Sequence, residues 1–207
     1  MKVFFAVILL LEVLSSPIRA QLATCGEQDD PKIADAWRRI EASVDPCGEH
    51  VEIQEVLETI RRCNGSSYRV CTSVAADRNT FDPPSRRRGS ARVGTITWNP
   101  TLRTELEAEC DGDSDQPVRR DPTASLLHEL VHAAQDCQDL EASELEMEAV
   151  RIENIYRRAA GLCQRTRYGE EPLPAQFTRA CSPGRCSCER PSNGLQMARE
   201  GESKPAG

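Results

Sequence analysis

One short run of the chain combines residue types and spacing that could do chemistry, His128-Glu129-Leu130-Val131-His132. Two histidines four positions apart project from one face of a helix, so both imidazoles can reach one metal ion. A zinc ion held there would polarise a substrate carbonyl and lower the pKa of its bound water to about 7. The Glu129 carboxylate could take a proton from that water and return it to a leaving amine. The motif therefore predicts zinc-dependent hydrolysis, with His128 and His132 as zinc ligands and Glu129 as the general base.

The same pattern also arises by chance on ordinary buried helices. In this chain, however, two of only three histidines belong to the motif. The flanking residues are apolar, and two imidazoles and a glutamate would be costly to bury there without a metal ion. We therefore expect a zinc site.

A catalytic zinc ion needs a third protein ligand and keeps a fourth position open. The metzincin pattern is excluded, because it requires glycine and histidine where Gln135 and Gln138 stand. On the acidic segment that follows, Glu146 and Glu153 share one helical stripe, and Glu146 is the leading candidate.

Other interpretations of the third ligand remain open. Ser143-x-x-Glu146 also fits a capping box, which would turn Glu146 towards the start of its own helix. Asp136 is an alternative ligand on the motif helix itself. The third histidine, His50, lies far upstream, and a surface or capping role explains it more simply.

The elements that must position these residues can be outlined from the sequence. Asp30-Pro31 and Asp121-Pro122 are typical helix openings, each with an aspartate at the cap and a proline in the first turn. The predicted helices run from Asp30-Pro31 to Asp45-Pro46, from Val51 to about Cys63, from Asp121-Pro122 through the motif, and from Ser143 to Gly161. Strands are predicted for Tyr68 to Val74 and Arg92 to Trp98, and loops for 82–90 and 110–121. Within the second strand, Thr95 to Trp98 is a candidate edge along which a peptide substrate would lie.

The part of the chain from Leu127 to Tyr168 resembles a known peptidase family. The matching residues are His128-Glu129-x-x-His132-Ala133, Glu146-x-x-Ala149-Val150, Glu153-Asn154-x-x-Arg157, Gly161-Leu162 and Arg165-x-x-Tyr168. These motifs are similar to those of the type III effector zinc peptidases of enteric pathogens, which clip host MAP kinases.

The resemblance implies that His128, His132 and Glu146 are the zinc ligands and that Glu129 is the base. It also implies a catalytic role for Arg165 and Tyr168, which resemble an Arg-x-x-Tyr pair that stabilises the oxyanion in clostridial neurotoxin light chains. The MAP-kinase substrate is not carried over, because a signal peptide and ten cysteines do not fit a chain injected into a host cytosol.

The ends of the chain and its cysteines indicate export. Residues 1–20 have the positive start and apolar run of a signal peptide, residues 21–188 are predicted to form one domain, and residues 189–207 a disordered tail. Ten cysteines in an exported chain predict disulfides. Cys137 and Cys163 are candidates for tying the motif helix to the acidic helix. In a minority alternative, Cys25 is the acylated residue of a lipoprotein.

These features predict an α+β, zincin-like fold in which a small mixed sheet packs on the motif helix, with flanking helices and several disulfides. The net charge of −7 gives no reason to expect a nucleic-acid partner, and no later segment is apolar enough for a membrane anchor. We expect a secreted or periplasmic monomer that hydrolyses peptide bonds in a protein or peptide substrate with Zn²⁺. The alternatives are another zinc-dependent amide hydrolase and a non-catalytic disulfide-rich binding module with a vestigial site.

Overall fold

The computed structural model describes residues 22–25, 30–45, 47–85, 92–102, 105–109, 117–140, 145–168, 171–177, 181–182 and 185–186. The helices in these ranges are α1 (Pro31–Glu41), α2 (His50–Arg61), α3 (Pro122–Cys137) and α4 (Leu145–Ala159), with a 3₁₀ turn at Ala175–Phe177. The strands are β1 (Leu22–Thr24), β2 (Ser66–Thr72), β3 (Thr80–Asp82), β4 (Arg92–Trp98), β5 (Glu105–Glu109), β6 (Pro117–Arg119), β7 (Gln164–Arg165), β8 (Arg167–Tyr168), β9 (Glu171–Pro172), β10 (Cys181–Ser182) and β11 (Arg185–Cys186). The α+β class is as predicted. The predicted signal peptide and the predicted tail lie outside the described residues.

The main sheet is mixed and has the strand order β1-β2-β4-β3. Strands β1, β2 and β4 run parallel, and β3 pairs antiparallel with β4. Because β4 has a partner on each side, the prediction that Thr95 to Trp98 forms a free edge is wrong. The edge on that side is β3, whose last residue, Asp82, had been assigned to a loop.

A second sheet has the order β6-β5-β7 and connects the approach to α3 with the segment after α4. In β5, Ala108 pairs with Arg165 of β7, while Glu105 pairs with Arg119 of β6. The prediction of a loop over 110–121 is therefore wrong at Pro117–Arg119, and residues 110–116 lie outside the described part. The sheet brings Arg165 towards the start of the motif helix.

The helix openings follow the local chemistry of the sequence. The Asp30 carboxylate accepts a hydrogen bond of 2.8 Å from the Lys32 backbone N–H, and Asp121 caps α3 by accepting one of 2.8 Å from the Ala124 N–H. Helix α1 ends at Glu41, short of the predicted stop at Asp45-Pro46. After α4, Gly161 has a φ of +66°, which suits the predicted end of that helix.

Helix α3 lies at the centre of the core. Its side chains pack against α1, α2 and α4 and against the main sheet. The residues Leu126, Leu127 and Leu130 are fully buried. His128 and His132 lie on the side of α3 that faces a cleft, so the buried leucines fix the helix that carries both imidazoles.

Two hydrogen bonds attach the main sheet to both ends of α3. The Trp98 indole N–H donates to the carbonyl of Pro122 at 2.9 Å, and the Tyr68 hydroxyl donates to Asp136 Oδ2 at 3.0 Å. Tyr68 lies against Gly94, where an added Cβ would come within 2.7 Å of the Tyr68 ring. A glycine is therefore required at this position of β4.

Two pairs of cysteines lie at disulfide distance, Cys25 with Cys71 and Cys63 with Cys137. The prediction that Cys137 and Cys163 tie α3 to α4 is wrong, because Cys137 is joined to the segment after α2. Cys163 is disulfide-bonded as well, and none of the described cysteines is free. Cys25, the acylated residue of the lipoprotein alternative, is one of the paired cysteines.

Within the described ranges, no helix has both the length and the apolar character required to cross a membrane.

Candidate metal centre and active site

Three predicted ligand side chains meet at one point of the fold. His128 and His132 come from the middle of α3, and Glu146 comes from the first turn of α4. The Nε2 atoms of the two histidines are 3.2 Å apart, and Glu146 Oε2 lies 3.2 Å from the first and 3.3 Å from the second. Among the described residues, these three form the group of His, Cys, Asp and Glu side chains that could hold a metal ion.

The spacing of these atoms fits a tetrahedral zinc site. Zinc binds imidazole nitrogen and carboxylate oxygen at about 2.0–2.2 Å, and ligands at tetrahedral angles are then about 3.3 Å apart. The three observed separations form a nearly equilateral triangle of this size. The set of two imidazoles and one carboxylate is also one that catalytic zinc uses, with a fourth position open.

The remaining ring nitrogen of each histidine faces an acceptor. His132 Nδ1 lies 2.9 Å from Gln135 Oε1, and the Gln135 amide in turn donates to the backbone carbonyl of Leu145 at 3.0 Å. His128 Nδ1 lies 3.3 Å from Glu153 Oε2, an ion-pair distance without hydrogen-bond alignment. Acceptors at Nδ1 favour a proton there, which leaves both Nε2 lone pairs free for a metal ion.

Glu153 connects this site to two buried arginines. Its side chain is 2% exposed and accepts hydrogen bonds of 2.8 Å from Arg157 Nε and 2.9 Å from the Arg165 guanidinium. Burial works to raise the pKa of Glu153, but the charge of Arg157, the contact with His128 and the charge of Arg165 outweigh it and lower that pKa. Glu153 therefore stays ionised behind His128.

The contacts among the candidate ligands shift their pKa values. Burial lowers the pKa of His128, but the contacts with Glu146 and Glu153 outweigh it and raise that pKa to about 9. The hydrogen bonds to His128 and His132 hold the pKa of Glu146 well below its usual range. These contacts already arrange the three side chains as a metal ion would require.

Glu129 is buried beside the two histidines and lines the same cleft. Burial raises the pKa of its carboxyl group, and the charges of His128 and His132 partly oppose that rise. A carboxylate with a raised pKa accepts a proton more readily, as a general base must.

The cleft has a volume of about 600 Å³ and is bordered by α3, the start of α4, β3 and the strands after α4. Tyr168 lines it, and burial and the charge and hydrogen bond of Glu146 raise the pKa of the Tyr168 hydroxyl. The Arg165 guanidinium stands 5.8 Å from the centre of the Tyr168 ring. Both residues of the Arg-x-x-Tyr pair therefore reach the site, although Arg165 is buried against Glu153.

The other candidate ligands do not join this group. Asp136 accepts the Tyr68 hydroxyl and is not part of the His128, His132 and Glu146 group. His50 begins α2 and is likewise outside that group. Ser143, the other half of the possible capping box, lies outside the described residues, and the Glu146 carboxylate is turned to the two histidines.

Three residues of the site received no role from the sequence. Glu153 could have been singled out, because it shares the stripe of Glu146. Gln135 follows His132 by three positions on the same helix face, which is a local signal of contact. Arg120 lies just before the cap of α3 and lines the cleft, but its position depends on the pairing of β6, which sequence reasoning did not find.

Comparison with protein-family models, with curated proteins and with solved structures finds no match for this chain. The similarity to the type III effector peptidases therefore stays a prediction that depends on the motif residues of α3, α4 and β7–β8.

Proposed function

We propose that the chain is a secreted zinc-dependent metalloendopeptidase with a zincin-like arrangement of sheet and motif helix. The convergence of His128 Nε2, His132 Nε2 and Glu146 Oε2, within 3.3 Å of one another, carries this proposal. When bound, zinc supplies a Lewis acid that polarises the scissile carbonyl and makes water more acidic.

In this mechanism each neighbouring residue has one task. Glu129 accepts a proton from the attacking water at a carboxylate oxygen and delivers it to the amide nitrogen that leaves. The Tyr168 hydroxyl donates a hydrogen bond to the oxygen on which negative charge develops. Arg165 acts as a positioning residue, since its guanidinium holds Glu153 and lies beside the Tyr168 ring.

The β3 edge of the main sheet could bind an extended peptide. Strand β3 is paired only with β4 among the described strands, and Thr80 and Phe81 line the cleft. An extended substrate could add to this edge by main-chain hydrogen bonds, with its scissile bond beside Glu129. Strand β3 thereby takes the role that the sequence had assigned to Thr95 to Trp98.

Metal analysis and one substitution test the proposal together. We expect one zinc ion per chain, which is lost on His128→Ala or His132→Ala. Glu129→Gln should keep the zinc ion and abolish cleavage of an unbiased peptide library, because it removes the base but no ligand. A purified protein that binds no zinc would contradict the proposal, and so would a fully active Glu129→Gln variant. Zinc binding with hydrolysis only of non-peptide amides would point to the alternative amide hydrolase.

A further inference from the structure

Arg120 presents a cation to the candidate active site without a partner of its own. It follows β6 and precedes the Asp121 cap of α3, and it lines the cleft together with Glu129 and Tyr168. Its Nε is buried and has no hydrogen-bond partner. Within the described part of the chain, the guanidinium forms no salt bridge. A buried guanidinium nitrogen without a partner is uncommon, because removing a polar N–H group from water is costly.

The nearby carboxylates do not satisfy Arg120. Glu153 already binds Arg157 and Arg165, and those two cations also lie near Arg120 and repel it. No hydrogen bond or salt bridge joins Glu129 to Arg120 in the described part of the chain, and the proposed mechanism needs Glu129 for proton transfer. Among the described residues, Arg120 therefore has no carboxylate bound to it directly.

A second unsatisfied donor lies in the same cleft. The side-chain carbonyl of Asn79 accepts the Asn99 backbone N–H at 2.8 Å, but the buried Asn79 Nδ2 has no partner. Asn79 immediately precedes β3, the edge proposed to bind substrate. Arg120 Nε and Asn79 Nδ2 are two of the buried nitrogens in this cleft that have no hydrogen-bond partner, and they indicate a ligand that brings acceptor oxygens, one of them charged.

We propose that Arg120 is a specificity-determining residue that binds a carboxylate of the substrate close to the scissile bond. This role rests on the proposed peptide hydrolysis. A guanidinium binds a carboxylate through two parallel N–H···O bonds, a geometry that an amide of the same size cannot replace. The carboxylate belongs either to an aspartate or glutamate side chain or to the free C-terminus of the peptide. Binding of a side chain would direct cleavage to internal bonds, and binding of the C-terminus would direct it to bonds near the chain end.

Zinc-directed peptide hydroxamates can test this proposal without turnover. Four probes are needed, in which the residue next to the hydroxamate is glutamate or glutamine and the C-terminus is a free acid or an amide. Their dissociation constants for the zinc-loaded protein are measured by calorimetry. The wild type should bind one acidic probe about 10- to 100-fold more tightly than its neutral counterpart, the range of a charge-assisted hydrogen bond. Preference for the glutamate side chain identifies an internal acidic residue, and preference for the free acid identifies the C-terminus.

Variants connect the preference to Arg120. Arg120→Gln should abolish the difference between acidic and neutral probes while the neutral probe binds as before, and Arg120→Lys should keep part of it. Arg38→Gln is the matched control, because it removes the same charge from the exposed face of α1, with 73% of the Arg38 side chain exposed, and should leave the preference intact.

The outcomes separate this inference from the proposed function. Equal binding of all four probes to the wild type would overturn the role of Arg120 and leave the zinc site in place. A preference that survives Arg120→Gln would also overturn it. Failure of every probe to bind a protein shown to lack zinc would overturn the proposed function and this inference together.

Discussion

After the three ligands themselves, Glu153 is the residue whose replacement should lower the zinc affinity most. It faces His128 Nδ1 and holds Arg157 and Arg165 from a buried position. Glu153→Gln keeps the size of the side chain but removes the charge that orients His128. We expect a loss of zinc affinity of about 10- to 100-fold, the usual effect of removing such a partner. Competition with a chromophoric chelator measures it.

The matched control for this substitution is on the same helix. Glu148 is 44% exposed and pairs with Arg151, so Glu148→Gln should change the free energy of unfolding by no more than about 1 kcal/mol. Its zinc affinity should equal that of the wild type. Glu153→Gln should also lower thermal stability, because two buried guanidinium groups lose their counter-ion. Equal zinc affinity in the two variants would mean that Glu153 serves the fold alone.

The hydroxyl of Tyr168 should contribute to turnover. Its hydroxyl is near Glu146 in the cleft, and donors placed at a developing oxyanion typically supply on the order of 10²- to 10³-fold in turnover. Tyr168→Phe should lower kcat by about that factor with KM and zinc content little changed. Steady-state kinetics on a cleaved library peptide measures both constants. An unchanged kcat would remove Tyr168 from the mechanism and leave the zinc site intact.

At the scale of elements, the disulfide between Cys63 and Cys137 fastens the end of the motif helix. It joins the segment after α2 to the last residue of α3 across a sequence separation of 74. Closing a loop of that length stabilises the folded chain by about 4 kcal/mol through the entropy of the unfolded state. The double variant Cys63→Ala, Cys137→Ala should lose about 2–5 kcal/mol of unfolding free energy in urea titrations. A loss below about 1 kcal/mol would show that packing alone holds this end of α3.

The sequence predicted the elements whose signals are local. The caps at Asp30 and Asp121 fixed two helix starts, and the alternation in Arg92–Trp98 fixed β4 with correct bounds. Strands β1, β3, β5 and β6 were missed, because three-residue strands and a strand of alternating glutamates, Glu105–Glu109, are stabilised by partners far away in the chain. The two-residue strands β7 to β11 were not predicted either.

In the candidate site, too, the residues with a local sequence signal were predicted and those placed by distant contacts were not. His128, Glu129 and His132 follow from one helix turn, and Glu146 follows from the stripe of the next helix. Spacing places Glu153 on the stripe of Glu146, but it does not predict the ion pairs of Glu153 with Arg157 and Arg165. The position of Arg120 could not be predicted from spacing, because it depends on strand pairing between distant segments. The free edge of the sheet could not be predicted either, since the order β1-β2-β4-β3 is set by pairing between distant segments.

The paired cysteines and the predicted signal peptide together predict the covalent state of the exported protein. Intact-mass measurement of the exported protein should give a chain that begins at Gln21, carries no acyl group and does not react with thiol reagents before reduction. Cys25 already lies at disulfide distance from Cys71. A lipid on Cys25 would contradict this prediction, and so would free thiols in the freshly isolated protein.

The shortness of β3 limits how selective the proposed enzyme could be. Three residues, Thr80–Asp82, offer about 10 Å of free main chain to an extended peptide, which is three residues of substrate. Beyond these three residues no described strand continues the edge, so the proposed enzyme would not recognise more distant residues of a target protein. Choice among targets would then depend on whether a flexible stretch of the target can enter the cleft, and folded regions would be spared because their main chain is already paired. Such an enzyme would cut loops and unfolded tails of many proteins at a few permitted bonds each.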